Sequence, residues 1–313
     1  VQIGQFNIMT RVLSAVFYTT APEQAVDYPL IFGHTTKKDK RPYLEMQTMA
    51  GPGELALMDE DQGITYDMLS TGYNTRFTFV GFGLGLRASK KFIYNDEFGL
   101  LKQAMQLLRY SAEITKNIKA WQMWNLAYTS GVNGGDGEPL AYNAHPLSRG
   151  GTFANDIGAV ALSPTAVETA MIQADTLVGD NNLPANVMMK YCIVPVQLRK
   201  TATEIFGTGP KAAYTTDNTI NIDMDRLVPF VSRFANVSTI QWSVFAEKPG
   251  DDAEKNPQAR MNPNTHHLRV IDEWDYNFET AQDFETKGLK TSVDCSFAVG
   301  FEDWRGTIFS SGA

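Results

Sequence analysis

No proline interrupts the chain between Asp96 and Ser130, and the apolar residues of that run keep a helical spacing: Leu101, Met105, Leu108 and Ala112, then Ile114, Ile118 and Trp121. Steps of three and four place such residues on one face of an α-helix. The pattern predicts one helix from Asp96 to about Ser130, roughly 50 Å long at about 1.5 Å per residue. Asp96 and Glu97 complement its N-terminal dipole, and Gly131 ends it. A helix this much longer than average acts as a spine around which everything else must be arranged. Trp121, Trp124 and Tyr128 near its far end read as core.

What precedes the spine does not look like a compact domain. Residues 1–30 mix polar and apolar types without a sustained period, and Thr19–Pro22 and Asp27–Pro29 read as extended chain. We read an arm. Phe6, Ile8, Val12, Leu13, Val16 and Phe17 give it apolar surface that wants cover, at roughly 1.5–3 kcal/mol per large side chain buried. That cover is either the arm's own subunit or a neighbour.

From Phe32 to Lys91 the chain reads as a long twisted β-hairpin, with turn residues at Gly51-Pro52-Gly53 and Gly63 and strand-like alternation over Tyr73–Val80. Lys37, Lys38, Lys40 and Arg41 charge one end, and Asp59, Glu60 and Asp61 form an acidic cluster, so the two arms of the hairpin carry opposite signs. A two-stranded ribbon is marginal in water and must lie on something else. Gly81, Gly83 and Gly85 fall at alternate positions without a helix directly after them, which marks a strand with close backbone approach and not a phosphate loop.

Beyond the spine, VNGGDGEPLAYNAHPLSRGG is a glycine-rich loop. Ser163-Pro164 opens a helix of about 14 residues as N-cap and first helical position. Met188–Val194 reads as a buried strand, Val196–Phe206 as a helix, and Leu227–Val231 and Thr239–Phe245 as strands, together an α+β lobe. Glu247–His267 is a polar loop, and strand patterning returns at Leu268–Ile271 and Ser292–Phe301.

Few materials for catalysis are present. The chain has four His and two Cys, and it lacks the common nucleophile, phosphate-loop and zinc motifs. Cys192 and Cys295 read as small buried apolar residues, and the adjacent His266 and His267 would face opposite sides of a strand. We expect no catalytic residue, no cofactor and no metal. A net charge of −8 argues against tight binding to nucleic acid, which draws its strength from Lys and Arg on phosphates. No apolar run approaches the roughly 20 residues that cross a bilayer, so no membrane partner is expected.

The order of arm, charged hairpin, spine helix, α+β lobe and returning strands resembles the major capsid proteins of tailed bacteriophages, with the Hong Kong 97-type fold, over essentially the whole chain. The residues that carry it are Ile64-Thr65-Tyr66-Asp67, Phe82-Gly83-Leu84-Gly85-Leu86-Arg87, Asn95-Asp96-Glu97-Phe98-Gly99, Leu162–Glu168, Lys190–Pro195 and Phe297–Gly306. Each motif is weak alone, and their order and spacing make the resemblance.

The resemblance implies an α+β shell protein with residues 1–30 as N-terminal arm, 31–90 as extended loop, 91–160 as the peripheral domain on the spine, 161–265 as axial domain and 266–313 as the peripheral return strands. It implies hexamers and pentamers of one chain in an icosahedral head around double-stranded DNA, in the virion, assembled in the host bacterial cytoplasm. Contact with the packaged DNA would be weak and non-specific. Scaffolding, portal and decoration proteins are the further partners implied. Some relatives remove an N-terminal segment, and a start at Val1 fits such a cut or an unseen upstream segment. One relative joins subunits by a Lys–Asn isopeptide bond; no motif here marks its Asn or a catalytic Glu, so no cross-link is expected. Phe6, Val12, Phe17, Lys37, Lys38, Lys40, Arg41, Asp59, Glu60 and Asp61 are the expected contacts between subunits. The alternatives are an encapsulin-like compartment and a soluble hydrolase or transferase with loop 131–151 as its lid.

Overall fold

The computed structural model describes residues 3–19, 26–37, 39–58, 60, 63–68, 70–95, 99–185, 187–207, 223, 225–235, 240–250, 264–283 and 285–313. Along the chain run α1 (Ile3–Thr19), α2 (Tyr28–Ile31), β1 (Gly33–Thr36), β2 (Tyr43–Ala50), β3 (Ser70–Thr78), β4 (Val80–Ala88), α3 (Lys90–Tyr94) and α4 (Leu100–Asn125). They are followed by β5 (His145–Pro146), β6 (Thr152–Phe153), α5 (Pro164–Asp175), β7 (Met189–Pro195), a 3₁₀ turn and α6 (Arg199–Phe206). The rest is strand: β8 (Val228–Ser232), β9 (Trp242–Ala246), β10 (Leu268–Gln282), β11 (Leu289–Phe301) and β12 (Thr307–Ser310).

Two four-stranded sheets divide these elements. The first has the order β1-β10-β11-β4, parallel between β1 and β10 and antiparallel elsewhere. The second has the order β12-β9-β7-β8, parallel only between β7 and β8. The last strand therefore does not stay with the returning strands of residues 266–313: β12 crosses to the lobe sheet and pairs with β9. Its four residues are all buried, and that burial holds the two halves of the chain together.

The spine is α4, shorter than expected. It has 26 residues, about 39 Å at 1.5 Å per residue. Gly99 sits before it with φ 67°, the left-handed region that favours glycine, so the helix starts at Leu100. Asp96 and Glu97 lie outside the described residues. At the other end the chain leaves the helix at Leu126, several residues before Gly131. Leu101, Met105 and Leu108 face α1 and the first sheet. Ala120, Trp121, Met123 and Trp124 enter the core of the second. The indole of Trp124 donates to Ser243 Oγ at 2.7 Å, and that of Trp121 to Asp27 Oδ1 at 2.7 Å. One helix thus supplies both cores.

Midway along it a charge is buried. Lys116 Nζ and His34 Nε2 both lie 2.6 Å from Asp272 Oδ2, which ties spine, β1 and β10 at one carboxylate. Burial pushes that carboxyl up, and the hydrogen bonds from His34 and Lys116 outweigh it, so Asp272 stays below the usual carboxylate range.

The N-terminal arm is a correction to the sequence reading. Residues 3–19 form a helix, with Met9, Leu13, Val16 and Phe17 on the face toward α4, β10 and β11. Phe17 stacks on Phe278 with centroids 4.8 Å apart, and the Arg109 guanidinium sits 5.3 Å from its ring centroid. The spacing of these four residues is helical. Thr10, Arg11 and Ser14 between them hid it from a reading by period alone.

The hairpin expected from Phe32 to Lys91 is shorter: only β2 and β3 form it, while β1 pairs with β10 and β4 with β11 in the first sheet. Ser163 Oγ accepts from the Ala166 amide at 3.2 Å and starts α5. The glycines of β4 lie in a strand paired with β11, and a Cβ at Gly85 would stand 3.3 Å from the Thr291 carbonyl oxygen. Most of the polar loop 247–267 lies outside the described residues. Loop 131–151 is no lid. It buries Leu140, Ala141 and His145, and His145 bonds Asp136 at 2.6 Å and stacks on Trp304.

Candidate assembly surface

The ribbon β2–β3 is the only two-stranded ribbon of any length among the described residues, and its two ends behave differently. Near the body, side chains alternate in and out along β2, with Leu44, Met46 and Ala50 turned inward. Leu44 lies opposite Phe77 and Met46 opposite Thr75 across the ribbon. Leu44, Met46 and Phe77 pack on Ile271 of β10 and Ala298 of β11. Gly300 makes room for the Phe77 ring: a Cβ there would stand 2.6 Å from it. Thr75 Oγ1 donates to the Glu302 carbonyl at 3.2 Å. The base of the ribbon is therefore built into its own subunit.

Beyond Ala50 and before Ser70 the ribbon leaves the body. Its feet are fixed there. Asn181 Nδ2 donates to the Pro52 carbonyl at 3.1 Å. Asp67 Oδ2 accepts from Arg149 Nη1 at 2.7 Å and from the Gly53 amide at 2.8 Å, and Arg149 Nη2 reaches the Met68 carbonyl at 3.2 Å. The Arg149 guanidinium and then the Gly53 amide hold the Asp67 carboxyl below the usual carboxylate range. Above these feet Leu55, Leu57, Met58, Ile64, Tyr66 and Met68 are exposed, Leu55 at 94% and Leu57 at 89%. At roughly 1.5–3 kcal/mol per large apolar side chain, such a tip offers on the order of 10 kcal/mol of gross burial to whatever covers it. Exposed apolar clusters of this kind mark interaction sites.

The expected contact residues scatter. Phe17 is fully buried within its own subunit, so it is not available to a neighbour in this conformation, while Val12 on the other face of α1 is exposed. Phe6 lies in α1, and its side chain is outside the described part. The Lys37 side chain is only 1% exposed, with Nζ 3.3 Å from Glu273 and 4.5 Å from the Phe79 centroid; it is a core cation and not a free one. Lys40 and Arg41 are exposed, Arg41 paired with Asp39. Glu60 is exposed; Lys38, Asp59 and Asp61 lie outside the described residues. Among the described residues Lys37, Lys40 and Arg41 precede β2 and Glu60 lies in the apex, and the opposite charges that face each other across the ribbon are Glu45 and Arg76.

Sequence reading named the acidic residues of the apex and passed over its apolar ones, and over Arg149 and Asn181. A signal for the apex was there: Leu55 and Leu57, and Ile64, Tyr66 and Met68, alternate at period two inside a glycine-bounded segment. Nothing local could have named Arg149 or Asn181, which reach the ribbon across 82 and 129 positions of chain.

The thiols are placed for packing. Burial raises Cys192 to about 12 and Cys295 to about 11, away from the thiolate that nucleophilic chemistry needs.

A family model described as phage capsid protein matches residues 73–308, from the middle of β3 into β12. No curated protein matches the chain. Among solved structures, the capsid of the cyanophage P-SCSP1u is similar at 12% identity and a TM-score of 0.59, over 92% of this chain and 88% of that one. A structure from Mycobacterium phage Bobi is similar at 9% identity and a TM-score of 0.58, over 93% and 91%. The capsid of cyanophage Pam1 is similar at 13% identity and a TM-score of 0.56, over 90% and 87%. At such identities the likeness is one of fold, and the fold is the α+β, Hong Kong 97-type architecture that the sequence resembles. The matched stretch covers well over half of the chain and contains the first sheet except β1, the second sheet as far as Ile308, the spine and most of β3, and on that ground the chain belongs to the phage capsid protein family.

Proposed function

We propose that this chain is the major subunit of a tailed-phage head, assembling as hexamers and pentamers into an icosahedral shell around double-stranded DNA. The observation that carries this is the apex of the ribbon: six large apolar side chains held away from the body on feet tied down by Arg149 and Asn181. A lone subunit gains nothing from fixing an apolar tip in water. A shell subunit gains a contact with its neighbour.

In this reading β2–β3 and its apex form the extended loop, α4 with the first sheet the peripheral unit, and the second sheet with α5 and α6 the axial unit. Its role is structural, without catalysis. Scaffolding, portal and decoration proteins would be its further partners. The net charge of −8 suits a wall along which packaged DNA slides without sticking.

Electron microscopy of the purified chain tests it, with Leu55→Ser, Leu57→Ser and Tyr66→Ser combined as the comparison. Uniform hollow shells are expected from the parent chain, and dispersed, folded subunits with an unchanged melting temperature from the triple variant. A parent chain that stays a 34.7 kDa monomer at every concentration, or a triple variant that forms normal shells, overturns the reading.

A further inference from the structure

The two contacts that hold the feet of the ribbon are weak taken singly. The Asp67 side chain is 44% exposed in its pair with Arg149, and ion pairs in water contribute little to holding a chain in place. The bond from Asn181 to the Pro52 carbonyl also lies at the surface. Contacts of this strength fix a direction only when the groups that make them are themselves held rigidly from behind.

Both groups are held at one carboxylate oxygen. Asp180 Oδ1 accepts from the Ser148 amide at 3.3 Å and from Arg305 Nη2 at 2.9 Å. Ser148 directly precedes Arg149, and Asp180 directly precedes Asn181. Each residue that grips the ribbon is therefore the chain neighbour of a group anchored at that oxygen.

Arg305 keeps the oxygen in place. Its Nε donates to the Val178 carbonyl at 3.2 Å and its Nη1 to Asp303 Oδ2 at 2.8 Å, and its guanidinium lies 4.8 Å from the Trp304 ring centroid. With Val178 and Asp180 both bound to Arg305, the turn that carries Asn181 is pinned on either side of Gly179. Asn181 Oδ1 closes that turn by accepting from the Leu183 amide at 3.2 Å. Unlike the contacts at the feet, this centre is buried, with the side chains of Arg305 and Asp180 11% and 7% exposed. Arg305 also lies in the segment by which the chain crosses from β11 to β12, so one guanidinium ties the ribbon to the joint between the two sheets.

We propose that Arg305 is the positioning residue of the ribbon: through Asp180 Oδ1 it holds Arg149 and Asn181 together, and so fixes the direction in which the apex leaves the body. A lysine in its place keeps the charge and loses the fork that reaches Val178, Asp180 and Asp303 at once. The effect on direction belongs to a single subunit. Its consequence for assembly rests on the shell-forming role above.

Distances between spin labels read that direction. Ile172→Cys on exposed α5 is paired with Leu55→Cys on the outgoing limb or Tyr66→Cys on the return limb, all three positions being exposed and the native Cys192 and Cys295 buried. Labelled chain is diluted in unlabelled chain so that only pairs within one copy are measured. Each pair should give one narrow distance in the parent. Asn181→Ala should broaden chiefly the Leu55 distance, Arg149→Gln chiefly the Tyr66 distance, and Arg305→Lys both. Added to the Asn181→Ala, Arg149→Gln double variant, Arg305→Lys should broaden neither further, because it acts through those two residues; a merely structural loss of packing would add to them. Asp180→Asn, which keeps an acceptor oxygen and removes the ion pair, is the second variant where Arg305→Lys does not fold, and it should broaden both distances to a smaller extent. Unbroadened distances in both variants, broadening of one limb alone, or broadening on top of the double variant overturns the proposal. By electron microscopy, Arg305→Lys should turn uniform shells into particles of mixed diameter. Uniform shells from a variant with broadened distances overturn the link from direction to assembly, whereas a parent chain that forms no shells overturns the shell role and leaves the distance result standing.

Discussion

The base and the apex of the ribbon are made of similar material and meet opposite fates. Both limbs alternate apolar and polar residues. At the base Leu44, Met46 and Phe77 close on Ile271 and Ala298, while at the apex Leu55, Leu57 and Tyr66 face solvent. The difference is what lies beneath. Two long strands, β10 and β11, run under the base, and the apex extends past their reach. Alternation says that a segment wants one face covered. It does not say by which chain.

The comparison breaks most sharply at Phe77. Phe77→Ala empties a site that is 3% exposed and should lower subunit stability by about 3–5 kcal/mol, read from denaturant unfolding. A loss within about 0.5 kcal/mol, the range of a surface change, would mean that the base is as loosely held as the apex.

Gly300→Ala probes the same contact from below. A Cβ placed 2.6 Å from the Phe77 ring forces the ring or β11 to shift, and overpacking of a tight site costs about 1–3 kcal/mol. Unchanged stability would show that the ribbon base lifts freely off the sheet.

The smallest effect concerns the feet of the apex. Asp67 has a folded-state pKa below its unfolded value, so its contribution is present above the ordinary carboxylate pKa of about 3.9 and is lost as pH falls through the lowered folded value. The Gly53 amide, which donates to Asp67, should report this by NMR as a titration with a midpoint below about 3.9, and Arg149→Gln should move the midpoint back up toward that value. A midpoint unmoved by Arg149→Gln would remove the guanidinium as the cause.

Much of this organisation is legible in residue spacing. The spine shows from Leu101 to Trp121, and the Ser163-Pro164 start of α5 shows because capping is local chemistry. The strand at Gly81–Gly85 is legible from Leu86, Arg87 and Ala88, which continue it where a phosphate loop would open a helix. The contact residues are less legible. Lys37 looks in sequence like its basic neighbours Lys40 and Arg41, yet Glu273 and Phe79 enclose it. Phe17 looks like arm surface, yet it closes on Phe278 and Leu108.

Sequence alone determined the apolar face of the spine, the capped start of α5 and that the ribbon is too thin to stand by itself, because those properties depend on neighbours a few residues away. Only the tertiary structure decided which apolar residues are already covered. It brought β12 back to β9, drew α1 onto the spine, and left Leu55 and Leu57 bare at the apex and β4 open at the sheet edge. Burial is settled by residues that meet across tens or hundreds of positions, and no local spacing records those meetings.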